Sequence, residues 1–137
     1  MAIDLRPSAR KNAAEVSPSL VSWMIRHRIG LVCSACRTGR LLFIGSRSNG
    51  APVFTAAQFA GAMGIAAFSQ RVYLATQAGI LRLEKALWPD ELVDDRFDRL
   101  FVPRNAQITG NVGQHELSVE PSDQSYLPTP AIPASLP

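Results

Sequence analysis

Short apolar segments that alternate with polar residues and end in tight turns dominate the middle of the chain. The clearest example is residues 61–83, which divide into three predicted strands, at 63–68, 71–76 and 80–83. Turn residues at 69–70 and 77–79 lie between them. Short alternating strands joined by closely spaced turns are typical of an antiparallel meander. The pattern therefore predicts a mostly β protein.

One helix is predicted ahead of this meander. Ser17 is a typical N-cap residue, and Pro18 suits the first helical position because its missing N–H is not needed there. The helix is expected to end near residues 28–30. Four apolar residues recur at helical spacing and so lie on one face: Leu20, Val21, Met24 and Ile25. This face is expected to pack on the sheet.

Three more strands are predicted between the helix and the meander, at 29–35, 41–46 and 52–59. The first two form a hairpin, in whose turn Gly39 takes the positive φ that such turns often need. The turn signal Ser48-Asn49-Gly50 precedes the third strand, which its alanines weaken.

The pattern is less regular after residue 83. Residues 80–87 also fit a short helix closed by Trp88-Pro89-Asp90, and a short strand is predicted at 100–104, ended by its proline. One further strand is predicted at 117–120. The acidic segment 90–98 lacks the central glycine and terminal glutamate of a calcium loop, so it is predicted to be a solvated loop.

These elements divide the chain into three parts. Residues 1–16 are predicted to be a loose arm, and residues 17–120 a single β domain. Residues 121–137 contain five of the ten prolines, so we expect a disordered tail that forms no strand ladder.

Positive charge is concentrated in the first third of the chain. Residues 1–47 contain eight Arg or Lys and two acidic residues, a net charge of +6 against +3 for the whole chain. Such a segment can steer towards nucleic acid or an anionic membrane surface. The basic residues are nevertheless scattered singly, with little aromatic interleaving, so nucleic-acid binding is not favoured.

Cys33 and Cys36 have the spacing of a CxxC pair. A redox pair needs its first cysteine at a helix N-terminus, whereas this pair falls in or at the end of a predicted strand. A zinc site needs two more ligands, and the sequence has no second CxxC and no HxxxH. We predict structural or incidental thiols, with redox and metal roles as the alternatives.

No catalytic residue, metal or cofactor is predicted. No serine has a G-x-S-x-G context, and no glycine-rich phosphate loop is present. His27, between two arginines at the helix end, is predicted to hydrogen-bond the last carbonyl groups of the helix.

Seven segments, taken together and in order, carry a resemblance to a known family. They include RTGRLLFIG at 37–45 and VYLAT at 72–76, and the others are 17–20, 63–66, 101–104, 109–111 and 115–117. Together they resemble a bacterial conserved-hypothetical family, a domain of unknown function with a propeller-like repeat of strands. Some members of that family accompany tetratricopeptide repeats.

The chain departs from the family pattern in two ways. Members carry acidic residues just before the histidine, where this chain has Asn111, Gly113 and Gln114. The family's strands also continue well beyond Glu120. The resemblance therefore implies a truncated copy that holds about two to three blades of an antiparallel β-propeller, with exposed strand edges.

The resemblance implies that a ligand would bind to loops at one end of a propeller channel. The candidate ligand-binding residues are Arg104, Asn105, His115 and Glu116, of which Arg104 would supply an anion-binding guanidinium group. The alternative interpretation is an exposed loop pair and a surface arginine, because a channel site needs residues from blades that this chain lacks.

The leading functional prediction is a propeller-type interaction module whose partner is an unknown protein or small molecule. One alternative is a metal-dependent, lactonase-like hydrolase with Arg104, His115 and Glu116 at its rim. Another is a basic nucleic-acid or membrane-surface binder acting through residues 6–47. The sequence shows no secretory signal and no apolar run long enough to span a membrane, so we expect a cytoplasmic protein.

Overall fold

The computed structural model describes residues 15–47, 49–95, 97–111, 113–120 and 125–126. Their elements are α1 (Pro18–His27), β1 (Leu31–Ala35), β2 (Arg40–Ser46), β3 (Pro52–Gln58), β4 (Ile65–Phe68), β5 (Arg71–Ala75), β6 (Gly79–Lys85), β7 (Phe101–Ile108), β8 (Ser118–Val119) and β9 (Ser125–Tyr126). The prediction of a mostly β fold with one short N-terminal helix is confirmed.

Helix α1 begins and ends where its capping residues predict. The Ser17 hydroxyl accepts a hydrogen bond from the Leu20 N–H at 3.3 Å, which satisfies one of the amides at the helix start. Arg28 ends the helix in the left-handed conformation, with φ 54°. Val21 and Met24 are buried. Ile25, which was expected on the same buried face, is instead exposed, so the buried stripe is narrower than predicted.

The first three strands form one antiparallel sheet, sheet 1, in the order β1-β2-β3. The predicted β1–β2 hairpin is confirmed: Ala35 pairs with Arg40 across its turn, and Gly39 has φ 62°. Helix α1 packs against β2 of this sheet.

A second antiparallel sheet, sheet 2, contains four strands in the order β4-β5-β6-β7. The alternative helix at 80–87 is wrong, because β6 continues as a strand to Lys85 and pairs on both sides, with β5 and with β7. Backbone groups paired on both sides outweigh the weak local preference for a helical turn.

Strand β7 corrects a second prediction. It runs past Pro103 to Ile108, whereas the sequence predicts that the proline ends a strand at residue 104. Proline is tolerated here because β7 is the last strand of the sheet, where an N–H group is not required on the open side. Leu83 pairs with Pro103 and Arg82 with Asn105, so Arg104 is the additional residue of a β-bulge.

The main core lies between the two sheets. Val72, Leu74 and Leu83 of sheet 2 pack with Leu41 of sheet 1 and with Ala62. Phe43 and Phe101 pack against this cluster, and their rings are stacked on each other with centroids 5.5 Å apart.

A smaller cluster lies on the opposite face of sheet 2, called here its outer face. Tyr73 and Ile80 pack there against Leu117, which leads into β8, and against Val119 within it. Successive sheets therefore pack face to face in chain order. This layering is consistent with a partial propeller-like meander.

The expectation that residues 121–137 form no strand ladder is wrong at 125–126. β9 pairs with β8, so this segment does contribute two residues to a ladder. The other residues of the predicted tail, and residues 1–14 of the predicted arm, lie outside the described residues.

The connections fall at two ends of the molecule. The end of β3 leads through residues 59–64 into β4, and the Ser34 hydroxyl donates to the Met63 carbonyl, so these segments share one end, the lower end. The connections at 36–39, 76–78 and 109–117 also lie there. The upper end holds the connections at 28–30, 47–51, 69–70 and 86–100.

Candidate functional site

Arg104 and Asn105 lie on the open edge of sheet 2. Both are exposed residues of β7. Asn105 pairs with Arg82 of β6, and Arg104 occupies the adjacent bulge. A bulge on an edge strand changes the direction of its side chains without disturbing the rest of the ladder, so this guanidinium group is presented to solvent.

His115 and Glu116 lie at the lower end, beside the start of β4. The Gln114 carbonyl accepts a hydrogen bond from the Gly64 N–H at 3.1 Å. A Cβ atom at Gly64 would lie 3.0 Å from the Glu116 carbonyl carbon, so glycine allows this loop to approach closely. The backbone is thus held firmly, while both side chains are exposed.

The fold separates these four residues into two pairs. β4 and β7 are the opposite edges of the four-stranded sheet, and three inter-strand spacings correspond to about 14 Å. Ligand binding by these residues stays a prediction.

Three charged residues that the sequence analysis did not single out meet on the outer face of sheet 2. The Glu84 Oε1 atom lies 3.5 Å from the Arg71 Nε atom and 3.0 Å from the Arg82 Nε atom. Asn105 pairs with Arg82 and so lies on the same face. The signal that could have found this group is the alternation of Ile80, Arg82 and Glu84 on one face of β6.

Loss of the Glu84 charge is expected to destabilise the fold modestly. Glu84→Gln removes both ion pairs and leaves two guanidinium groups close together, which repel each other. Since all three side chains keep roughly a third of their surface exposed, solvent screening limits the loss to about 1 kcal/mol. Urea unfolding should show this loss at low salt and a smaller one at high salt.

The matched control for this charge is Glu116→Gln, which removes an exposed carboxylate from a loop. It should leave the free energy of unfolding nearly unchanged. Equal effects of the two substitutions at all salt concentrations would contradict the assignment of Glu84 as the carboxylate that holds two arginines.

Among the described residues, the two cysteines and His27 make no contact that indicates a redox, metal or capping role. Cys33 and Cys36 are exposed, with free thiols. His27 does not serve the helix carbonyl groups as predicted: its ring lies 5.2 Å from that of Trp23, and the Ile25 and Met24 carbonyls accept from the backbone amides of Arg28 and Ile29. Within the described ranges, no three His, Cys, Asp or Glu side chains are grouped to hold a metal ion.

Large apolar side chains are exposed at the upper end. Trp88 and Leu92, in the connection between β6 and β7, are 79% and 52% exposed. The Trp88 N–H donates to the Glu91 carboxylate at 3.0 Å, and Val93 pairs with Phe97, so this connection has local structure. Phe68 and Ile29 are also exposed at this end.

Comparison with known proteins relates the chain to a protein family. A family model with the description "Domain of unknown function (DUF4915)" matches residues 18–129. No curated protein and no solved structure matches the chain. In the described part of the structure, no helix is long and apolar enough to cross a membrane.

Proposed function

The chain belongs to the DUF4915 family of domains of unknown function, and we propose that it acts as a propeller-type interaction module that binds a partner through its upper end. The resemblance stated from the sequence thus agrees with the family match. The propeller character, the bacterial distribution and the association with tetratricopeptide repeats stay predictions.

The layering of the sheets supports the propeller part of this proposal. Sheet 1 packs on one face of sheet 2, and the segment that enters β8 packs on the other face. In a propeller each blade is covered by its two neighbours in this way, and the connections at the ends of the blades are free to vary. Binding residues are disproportionately found in such connections, because the strands hold them in place.

The exposure of Trp88 carries the binding part of the proposal. A tryptophan that leaves 79% of its surface in water forgoes the stabilisation that burial would bring, about 25 cal/mol per Å² of apolar surface. Leu92, Phe68 and Ile29 at the same end share this property. Aromatic side chains of this kind are the usual anchors of protein interfaces.

A photo-crosslinking amino acid placed at position 88 tests this proposal in living cells. Position 108 is the matched control, since Ile108 is 87% exposed but lies at the lower end of β7. We expect a discrete covalent adduct from position 88 and none, or a different and diffuse set, from position 108. Identical adduct patterns from both positions would show that exposure alone, and not the upper end, explains the capture.

The two alternative functions gain no support from the placement of their residues. A rim site for a hydrolase would have to join Arg104, in the bulge of β7, to His115 and Glu116, in the connection beside the start of β4. The basic residues of the first third also diverge, because Arg28 lies at the upper end and Arg37 and Arg40 lie at the lower end.

We place the module in the cytoplasm, as part of the same proposal. Cys33 and Cys36 are both exposed with free thiols, which suits a reducing compartment.

A further inference from the structure

Two exposed apolar surfaces of opposite charge lie at the upper end of the molecule. The first, called here the acidic loop, comprises the described residues 88–95, 97 and 98. It exposes Trp88 and Leu92 among five carboxylates, those of Asp90, Glu91, Asp94, Asp95 and Asp98.

The second surface, called here the basic helix end, comprises residues 23–29. Trp23 and Ile25 are 45% and 46% exposed. Arg26, His27 and Arg28 are exposed beside them. The basic residues in the last turn and at the cap face the negative end of the helix dipole, and Ile29 continues the apolar surface beyond the cap.

These two surfaces belong to different layers of the fold. α1 packs against β2 of sheet 1, whereas the acidic loop connects β6 to β7 in sheet 2. The ion pairs of Glu84 with Arg71 and Arg82 lie on the outer face of sheet 2 and involve neither surface. Each therefore offers charge and apolar area to a partner of opposite charge.

We propose that the partner bound by the upper end is a second copy of this chain. Because both surfaces lie at the same end, two copies related by a two-fold axis can meet with each acidic loop against the other copy's basic helix end. The contact then forms twice, with opposite charges facing each other both times, and the assembly is closed. This inference rests on the proposed function and names its partner.

The available area is sufficient for such a dimer. The exposed parts of two Trp88 and two Trp23 side chains amount to roughly 600 Å². The other exposed side chains of both surfaces need to supply only about as much again to reach about 1,200 Å², the size of a small specific interface. Leu92 and Ile25 add to it.

Charge reversal with exchange of partners tests the proposal on the purified, full-length chain. The first variant, Arg26→Glu with Arg28→Asp, makes the helix end acidic. The second, Glu91→Lys and Asp98→Lys together with Asp90→Asn, Asp94→Asn and Asp95→Asn, makes the loop basic. Lysine is introduced at positions 91 and 98 because Asp90, Asp94 and Asp95 adopt positive φ angles of 64°, 50° and 51°, a conformation that aspartate and asparagine adopt more readily than lysine.

Sedimentation velocity should show a dimer for the unaltered chain, with a dissociation constant that rises about tenfold between low and high salt as the charges are screened. Each variant alone should be monomeric, since like charges face each other at both contacts. An equimolar mixture of the two should dimerise again, because both contacts are complementary in the mixed pair. Trp88→Ala should weaken the dimer, and Ile108→Ala, at the lower end, should not.

Three results would overturn the inference: a monomeric unaltered chain, a dimer indifferent to salt, or a mixture that stays monomeric although both variants unfold at the same urea concentration as the parent. The proposed function is judged separately. An adduct of position 88 with a different protein in cells, together with a monomeric purified chain, would keep the binding role of the upper end and reject the second copy. No specific adduct at position 88 would reject the binding role itself.

Discussion

Replacement of Gly79 by alanine is expected to remove a large part of the stability of the fold. Gly79 begins β6 with φ 149°, and a Cβ atom there would lie 2.0 Å from the Gln107 carbonyl oxygen of β7. That contact is with backbone, which cannot move aside without breaking the β6–β7 ladder. Overpacking together with an unfavourable φ angle should cost about 3–5 kcal/mol, compared with a total of roughly 5–15 kcal/mol for a domain. Urea or thermal unfolding measures the loss directly.

Two other glycines separate the causes of this effect. Gly50→Ala meets nothing within 4 Å but has φ 80°, so it should show only the backbone cost, about 1 kcal/mol. Gly45→Ala also meets nothing within 4 Å, and its φ angle is not positive, so it should be close to neutral. If Gly79→Ala lowered the free energy of unfolding no more than Gly50→Ala does, the close contact between β7 and the start of β6 would be contradicted.

Local turn chemistry explains why much of the fold could be predicted from the sequence. Gly39 and Gly50 have positive φ angles at the turns where the residue pattern placed them. Ser17 and Pro18 likewise fix the start of α1 without help from the rest of the chain. These signals depend only on a few neighbouring residues, so they can be recognised in one sequence without knowledge of the fold.

The errors occur where distant pairing outweighs local preference. Nothing near residues 80–87 shows that β5 and β7 will pair with both edges of that segment, and this pairing makes it a strand. Pro103 indicates the end of a strand unless that strand is known to be the last one in the sheet. The depth of burial of Ile25 also depends on how α1 sits on sheet 1, which helical periodicity alone does not determine.

The candidate residues illustrate the same limit for function. His115 and Glu116 are neighbours in sequence and stay together, but their distance from Arg104 depends on the strand order β4-β5-β6-β7. Alternation along β6 places Arg82 and Glu84 on one face, but Arg71 joins them only through the β5–β6 register, in which it pairs directly with Glu84.

Truncation of Leu74 should have the second largest effect, because this residue joins the two sheets. Its side chain is fully buried, in the cluster that contains Leu41 of sheet 1 and Leu83 of sheet 2. Leu74→Ala removes apolar contacts with both sheets and leaves a cavity between two rigid ladders. Substitutions of this kind cost about 3–5 kcal/mol when the surroundings cannot collapse. Chemical denaturation gives the value, and Ile108→Ala, on an 87% exposed side chain, should cost less than 0.5 kcal/mol.

Hydrogen exchange distinguishes loss of the sheet 1–sheet 2 core from a local defect. If the two sheets form one cooperative unit through this core, Leu74→Ala should lower the protection of amides in β2 and β5 by the same amount, although the substitution lies in β5 alone. Leu117→Ala, in the smaller cluster on the outer face, should instead affect mainly the segment that enters β8. Loss of protection confined to β5 in the Leu74 variant would mean that sheet 1 is stable without sheet 2. In that case the layers would be separate units held together by their chain connections, and the face-to-face packing would not be what stabilises the fold.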